Sequence, residues 1–121
     1  MFNLESEECE DYRDESWLKA LAESFKAADD STYFDSDTLE EIASYYFEKG
    51  RYEESIRVID RLLDTYPYSS DGWMRRGVVL NNLGRHQDAL VAYDRVLALN
   101  PTDIETIVNR GITLDGLDRT E

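Results

Sequence analysis

The chain copies itself at an offset of 34 residues. Gly50-Arg51-Tyr52-Glu53-Glu54-Ser55-Ile56 aligns with Gly84-Arg85-His86-Gln87-Asp88-Ala89-Leu90. Ile59-Asp60-Arg61-Leu62-Leu63 then aligns with Tyr93-Asp94-Arg95-Val96-Leu97, and Pro67 with Pro101. The same shift superposes Leu39, Trp73 and Ile107, and likewise Ala43, Gly77 and Gly111. A fixed period of this length marks a stacked array, in which each unit buries its apolar face only against its neighbours. Counted from Ser36, the register divides the 121 residues into 36–69, 70–103 and an incomplete unit, 104–121. Before these come residues 15–35 and an acidic arm, 1–14.

Each unit reads as two helices. Leu39, Ile42, Ala43, Tyr46 and Phe47 recur at three-and-four spacing and so share one helix face; Ile56, Ile59, Leu62 and Leu63 do the same. Ala43 or Gly77 in the first helix, and Ser55 or Ala89 in the second, are small enough to let two helix backbones approach. Gly50 and Gly84 fall where the first helix must end, because glycine takes the left-handed C′ conformation without strain. Pro67 and Pro101 close the second helix, since proline disfavours helix in the residue before it. For the starts, Asp37-Thr38-Leu39-Glu40 and Thr102-Asp103-Ile104-Glu105 read as capping boxes, and Ser70 as a cap.

These residues resemble the tetratricopeptide repeat family, whose unit is a 34-residue helix–turn–helix. The motif positions filled are 4 (Leu39, Trp73, Ile107), 8 (Ala43, Gly77, Gly111), 11 (Tyr46, Leu80, Leu114) and 15 (Gly50, Gly84). Positions 20 (Ser55, Ala89), 24 (Ile59, Tyr93) and 32 (Pro67, Pro101) match as well. Position 7 departs from the pattern, with Arg76 and Arg110 where leucine is commoner, and position 27 holds Leu62 and Val96 rather than alanine. The resemblance implies an all-α fold, a right-handed superhelical array of antiparallel helix pairs.

At the N-terminal end, Trp17, Leu18, Leu21, Phe25 and Ala28 share a face and predict a helix over 15–28. It fits either the second helix of a degenerate repeat or a cap shielding the Leu39 helix, with Tyr33 and Phe34 tucked back under it. At the other end, Ile104, Ile107, Val108, Ile112, Leu114 and Leu117 make a helix apolar on more than one side. Terminal helices of such arrays carry a polar outer face. The chain is therefore expected to be part of a longer array, or to self-associate through Ile107, Ile112, Leu114 and Leu117.

Composition narrows the function. Acids outnumber bases 27 to 13, a net charge of −14, and residues 1–35 alone carry −8. Such a chain repels phosphate backbones and anionic lipid, so neither nucleic acid nor membrane is an expected partner. Cys9 is the only cysteine, which excludes an intrachain disulfide, and its acidic neighbours blunt the thiol. The N-terminus has neither the basic nor the apolar region of a secretory signal, so a cytoplasmic location is expected. His86, the single histidine, reads as a packing residue. With no second histidine and a remote cysteine there is no ligand set for a metal and no nucleophile–base pair. Asp35-Ser36-Asp37-Thr38-Leu39-Glu40 lacks the glycine and ligand spacing of a calcium loop. No phosphate-binding glycine loop occurs, so neither an enzyme nor a cofactor is expected.

The resemblance implies that first helices line a concave groove, through positions 2, 5, 6, 9, 12 and 13. Here these include Glu40, Ser44 and Phe47 from the first repeat and Asp71, Met74, Arg75, Val78, Asn81 and Asn82 from the second. The third supplies Glu105, Val108, Asn109 and Ile112. The reading is an apolar floor with an acidic rim, asparagines beside it to bond an extended backbone, and Arg75 to orient a carboxylate. The fitting partner is a protein or peptide segment with apolar anchors and basic flanks. The family's carboxylate clamp for acidic chaperone C-termini is not expected, because Glu40 and Glu105 stand where it needs lysine. The function implied is a non-catalytic interaction module, an adaptor or scaffold. The alternative is a stacking or self-association element of a longer repeat protein.

Overall fold

A computed structural model describes residues 15–29 and 31–119; the arm, with Cys9, lies outside them. Six helices are present among the described residues: α1 (Glu15–Ala27), α2 (Ser36–Glu48), α3 (Tyr52–Thr65), α4 (Ser70–Asn82), α5 (His86–Leu99) and α6 (Ile104–Arg119). Each packs on its chain neighbours, and α4 also meets α6. The first helices of the three units, α2, α4 and α6, begin at Ser36, Ser70 and Ile104, one period apart.

Their caps keep the same period but sit one residue before the helix. Asp35 Oδ1 accepts from the Thr38 amide at 2.8 Å, Ser69 Oγ from Gly72 at 3.0 Å, and Asp103 Oδ1 from Thr106 at 3.0 Å. The expected caps at Asp37, Ser70 and Thr102 are therefore corrected. A cap must stand outside the helix in extended conformation, as Asp35 (ψ 167°) and Ser69 (ψ 106°) do. Asp37 is already in the first turn, where its charge favours the positive end of the helix.

The hairpin turns follow from glycine. Gly50 and Gly84 have φ of 74° and 79°. Arg51 N–H reaches back to Tyr46 O at 2.8 Å and Arg85 N–H to Leu80 O at 2.9 Å, closing two Schellman turns. At the close approach of α4 and α5, a Cβ on Gly77 would lie 2.3 Å from the Tyr93 ring. In the first hairpin Ser55 Oγ donates to Ala43 O at 2.8 Å, so this buried hydroxyl joins the two helices directly.

The core runs through Leu39, Ile42, Ala43, Tyr46, Ile56, Ile59, Leu62, Leu80, Ala89 and Tyr93. Tyr45, Val58 and Val79 are buried too, on a second face of their helices, because an internal helix packs against the neighbouring unit as well as its own partner. Arginine at motif position 7 finds its reason there. Arg76 Nε donates to Asp60 at 3.0 Å and Arg110 Nε to Asp94 at 2.8 Å, one ion pair repeated a period later between consecutive units. Helix α1 buries Ala22 and packs Leu18, Leu21 and Phe25 on the core. Phe34 packs against Phe25 with the rings tilted and their centroids 5.4 Å apart, as expected, but Tyr33 stays exposed, its hydroxyl 3.3 Å from that of Tyr66.

Helix α6 is inverted relative to the others. Its fully buried side chains are Thr106 and Thr113, whereas Ile104, Ile107, Val108, Ile112 and Leu114 are exposed. Leu117 is half-buried. Gly111 has nothing within 4 Å of the position its Cβ would take.

Candidate partner-binding groove

Helices α2 and α4 present two adjoining hollows. The first, about 300 Å³, is walled by Ser44 and Phe47 from α2, Asp71, Met74, Arg75 and Val78 from α4, and Glu105 from α6. Its base is Ala43, Ser55, Ile59 and Val79. The second, about 440 Å³, is lined by Leu18, Asp37, Glu40, Glu41, Ser44, Tyr45, Glu48 and Arg75. Ser44 and Arg75 line both and divide a mostly apolar cup from a mostly acidic one.

The expected groove residues thus separate into those that line a hollow and those that do not. Ser44, Phe47, Asp71, Met74, Arg75, Val78 and Glu105 meet in the first cup, and Glu40 lies in the second. Asn81, Asn82, Val108, Asn109 and Ile112 line neither hollow. Asn81 is committed inside the fold: its Oδ1 accepts from Thr113 Oγ1 at 3.1 Å and lies 2.6 Å from His86 Nδ1. Asn82 Nδ2 donates to Val78 O of its own helix at 2.8 Å. Asn109 and Thr106 point their donors at Met74 Sδ, at 3.7 and 3.3 Å, and so brace the far wall of the cup. Asn81 and Asn109 thus join α4 to neighbouring helices, whereas the exposed Asn82 bonds only within α4.

Arg75 is also spent internally. Its Nη1 donates to Ser44 Oγ at 2.6 Å, and its Nη2 lies 3.9 Å from Glu40 Oε1. A guanidinium already facing Ser44 and Glu40 is poorly placed to orient an incoming carboxylate. Burial pushes the Glu40 carboxyl above its usual range; Arg75 opposes that shift, and Asp71 and Asp37 add to it. The base residues Ala43, Ser55, Ile59 and Val79 were not legible as groove residues, since their spacing marks them as core and only depth shows that core side chains floor the cup. Among the described residues no group of three His, Cys, Asp or Glu is placed to hold a metal ion, and no helix is long and apolar enough to cross a membrane.

The architecture defines a class: antiparallel helical hairpins stacked with a 34-residue period, an α-solenoid. A family model described as tetratricopeptide repeat matches residues 41–104. The chain belongs to the tetratricopeptide repeat (TPR) family. Among solved structures it is similar to MamA, at 19% identity and a TM-score of 0.72, covering 84% of this chain and 57% of that one. It is similar also to the first TPR of Spaghetti (RPAP3) bound to the HSP90 peptide SRMEEVD, at 18% identity and a TM-score of 0.69, covering 84% and 79%. The Sgt2 TPR domain from Aspergillus fumigatus follows at 14% identity and 0.69, covering 85% and 67%. The chain spans little more than half the length of the first two MamA chains it matches. At these identities the likeness is one of fold. No curated protein matches the sequence significantly.

Proposed function

We propose that this chain is a non-catalytic protein-interaction module, an adaptor or scaffold that holds a partner segment against the face formed by α2 and α4. The observation that carries the reading is the 300 Å³ cup, walled by Met74, Val78 and Phe47 and rimmed by Asp71 and Glu105. Membership of the TPR family supports it, as does a structural neighbour with a peptide bound. The ligand chemistry differs from that neighbour's. SRMEEVD carries acids, whereas the charges offered here are carboxylates and the one arginine between the hollows is tied to Ser44 and Glu40. The partner is a segment with apolar anchors and basic flanks, and nucleic acid and anionic membrane are repelled.

The test is affinity capture from host lysate with wild type and a Met74→Glu, Val78→Glu double variant, after circular dichroism has shown that the variant folds. Partners retained by the wild type, lost by the variant and weakened by salt support the groove. Identical recoveries sink it.

A second reading, self-association, rests on α6. Ile107, Ile112 and Leu114 are exposed there, and Gly111 leaves open a face that its counterpart Gly77 gives to Tyr93. Sedimentation velocity over a concentration series tests it. Association abolished by Ile107→Glu supports this reading, and a monomer at every concentration ends it.

A further inference from the structure

Met74 is the only methionine among the described residues, and two donors from another helix converge on its sulfur. Thr106 Oγ1 lies 3.3 Å from Met74 Sδ, and Asn109 Nδ2 lies 3.7 Å from it. A thioether sulfur is a weak acceptor, so both donors gain less from it than an oxygen would give them. Thr106 loses most by this, because its side chain is fully buried and water cannot make up the difference. The other buried hydroxyl of α6 is better served: Thr113 Oγ1 donates to an amide oxygen, Asn81 Oδ1, at 3.1 Å. Met74 is also within reach of small solutes. It is half-buried and walls the 300 Å³ cup, which admits a molecule the size of hydrogen peroxide.

We propose that Met74 is a site of reversible oxidation, where a peroxide converts the thioether to a sulfoxide whose oxygen Thr106 and Asn109 then hold. A lone pair of Sδ attacks one peroxide oxygen and the O–O bond breaks. The transferred oxygen gives its proton to the departing hydroxide, which leaves as water; sulfur loses two electrons and the peroxide gains them. The unbranched, flexible methionine side chain can turn the new oxygen towards α6. Sulfoxidation of a packed methionine ordinarily loosens a structure, because a polar group enters apolar surroundings. Here two donors already face the sulfur, so the sulfoxide joins α4 to α6 more firmly than the thioether does. The same oxygen makes the far wall of the cup polar. Its effect on a partner rests on the groove reading above; the modification itself does not.

The test treats the full chain with hydrogen peroxide, with Met74→Leu as the control for oxidation of Met1 and Cys9. Mass spectrometry of proteolytic peptides should find one added oxygen on Met74 of the folded chain, removable by methionine sulfoxide reductase. The melting temperature should rise by roughly 2–5 °C on oxidation, and Met74→Leu should show no such rise. Thr106→Val, which keeps the shape and removes the hydroxyl donor, should turn the rise into a fall. A folded chain that takes up oxygen on Met1 and spares Met74 overturns the proposal. So does a Met74 sulfoxide form that melts no higher than the reduced chain, or an undiminished rise in Thr106→Val. The wild-type comparison decides even if Thr106→Val does not fold. No partner enters any of these measurements, so the groove reading stands or falls separately.

Discussion

Gly77 and Gly111 hold the same place in consecutive repeats and live in opposite surroundings. A methyl group on Gly77 would meet the Tyr93 ring, itself fully buried, at 2.3 Å. Gly77→Ala should therefore cost about 1–3 kcal/mol by overpacking. Gly111 meets nothing within 4 Å and lies inside a helix, so Gly111→Ala should stabilise by roughly 0.5–1 kcal/mol through backbone entropy alone. Denaturant titration of both variants checks the opposite signs. Glu40 makes a prediction in pH. Its carboxyl titrates above its usual value in the folded chain, chiefly through burial, so the folded state binds that proton more tightly than the unfolded state. The favourable contribution is present below the unfolded pKa and lost as pH rises through the folded one. Glu40→Gln removes that dependence. Its melting temperature should gain on wild type more at about pH 7 than at about pH 4, and a constant difference would contradict the assignment.

At the scale of elements, the helices are set by devices that recur with the repeat. Asp35, Ser69 and Asp103 are one cap at one-period intervals, and the reading that put the starts at Asp37, Ser70 and Thr102 missed it. The signal is in the sequence all the same, because the three caps stand 34 residues apart just as the apolar positions do. Ser69→Ala should destabilise by about 1 kcal/mol, measured by thermal melting, because it frees the Gly72 amide at the start of α4. The Arg76–Asp60 pair is at the surface, so a double-mutant cycle should return a coupling of roughly 0.2–1 kcal/mol. Its repetition as Arg110–Asp94 explains how arginine occupies a position where a leucine would otherwise pack. Helix α6 shows the limit of reading one helix at a time. Its aliphatic stripes were evident, but the face by which it joins the body is polar, through Thr106 and Thr113.

For the whole molecule, one reagent separates stability from binding. With a net charge of −14 the chain repels itself, so adding salt from low ionic strength to physiological should raise the melting temperature. The same salt should weaken capture of a basic partner by the acidic rim. A scan of melting temperature and partner retention across one salt series should show the two moving in opposite directions; parallel movement would show that the partner is not read by charge.

The period alone determined the array: how the hairpins follow one another, which glycines turn the chain, and which helix stripes are apolar. It could do so because those features depend on residues within a turn or two of each other along the chain. What tertiary structure decided is which polar groups remain available to a partner. Arg75 is bonded to Ser44, 31 residues away, and Asn81 to Thr113, 32 away. Those contacts cross from one repeat to the next, where the register names the neighbouring positions but side-chain reach and packing choose the bond. An arginine and an asparagine that look like binding groups in one dimension thereby also join helices of neighbouring repeats, beside an apolar cup edged by carboxylates.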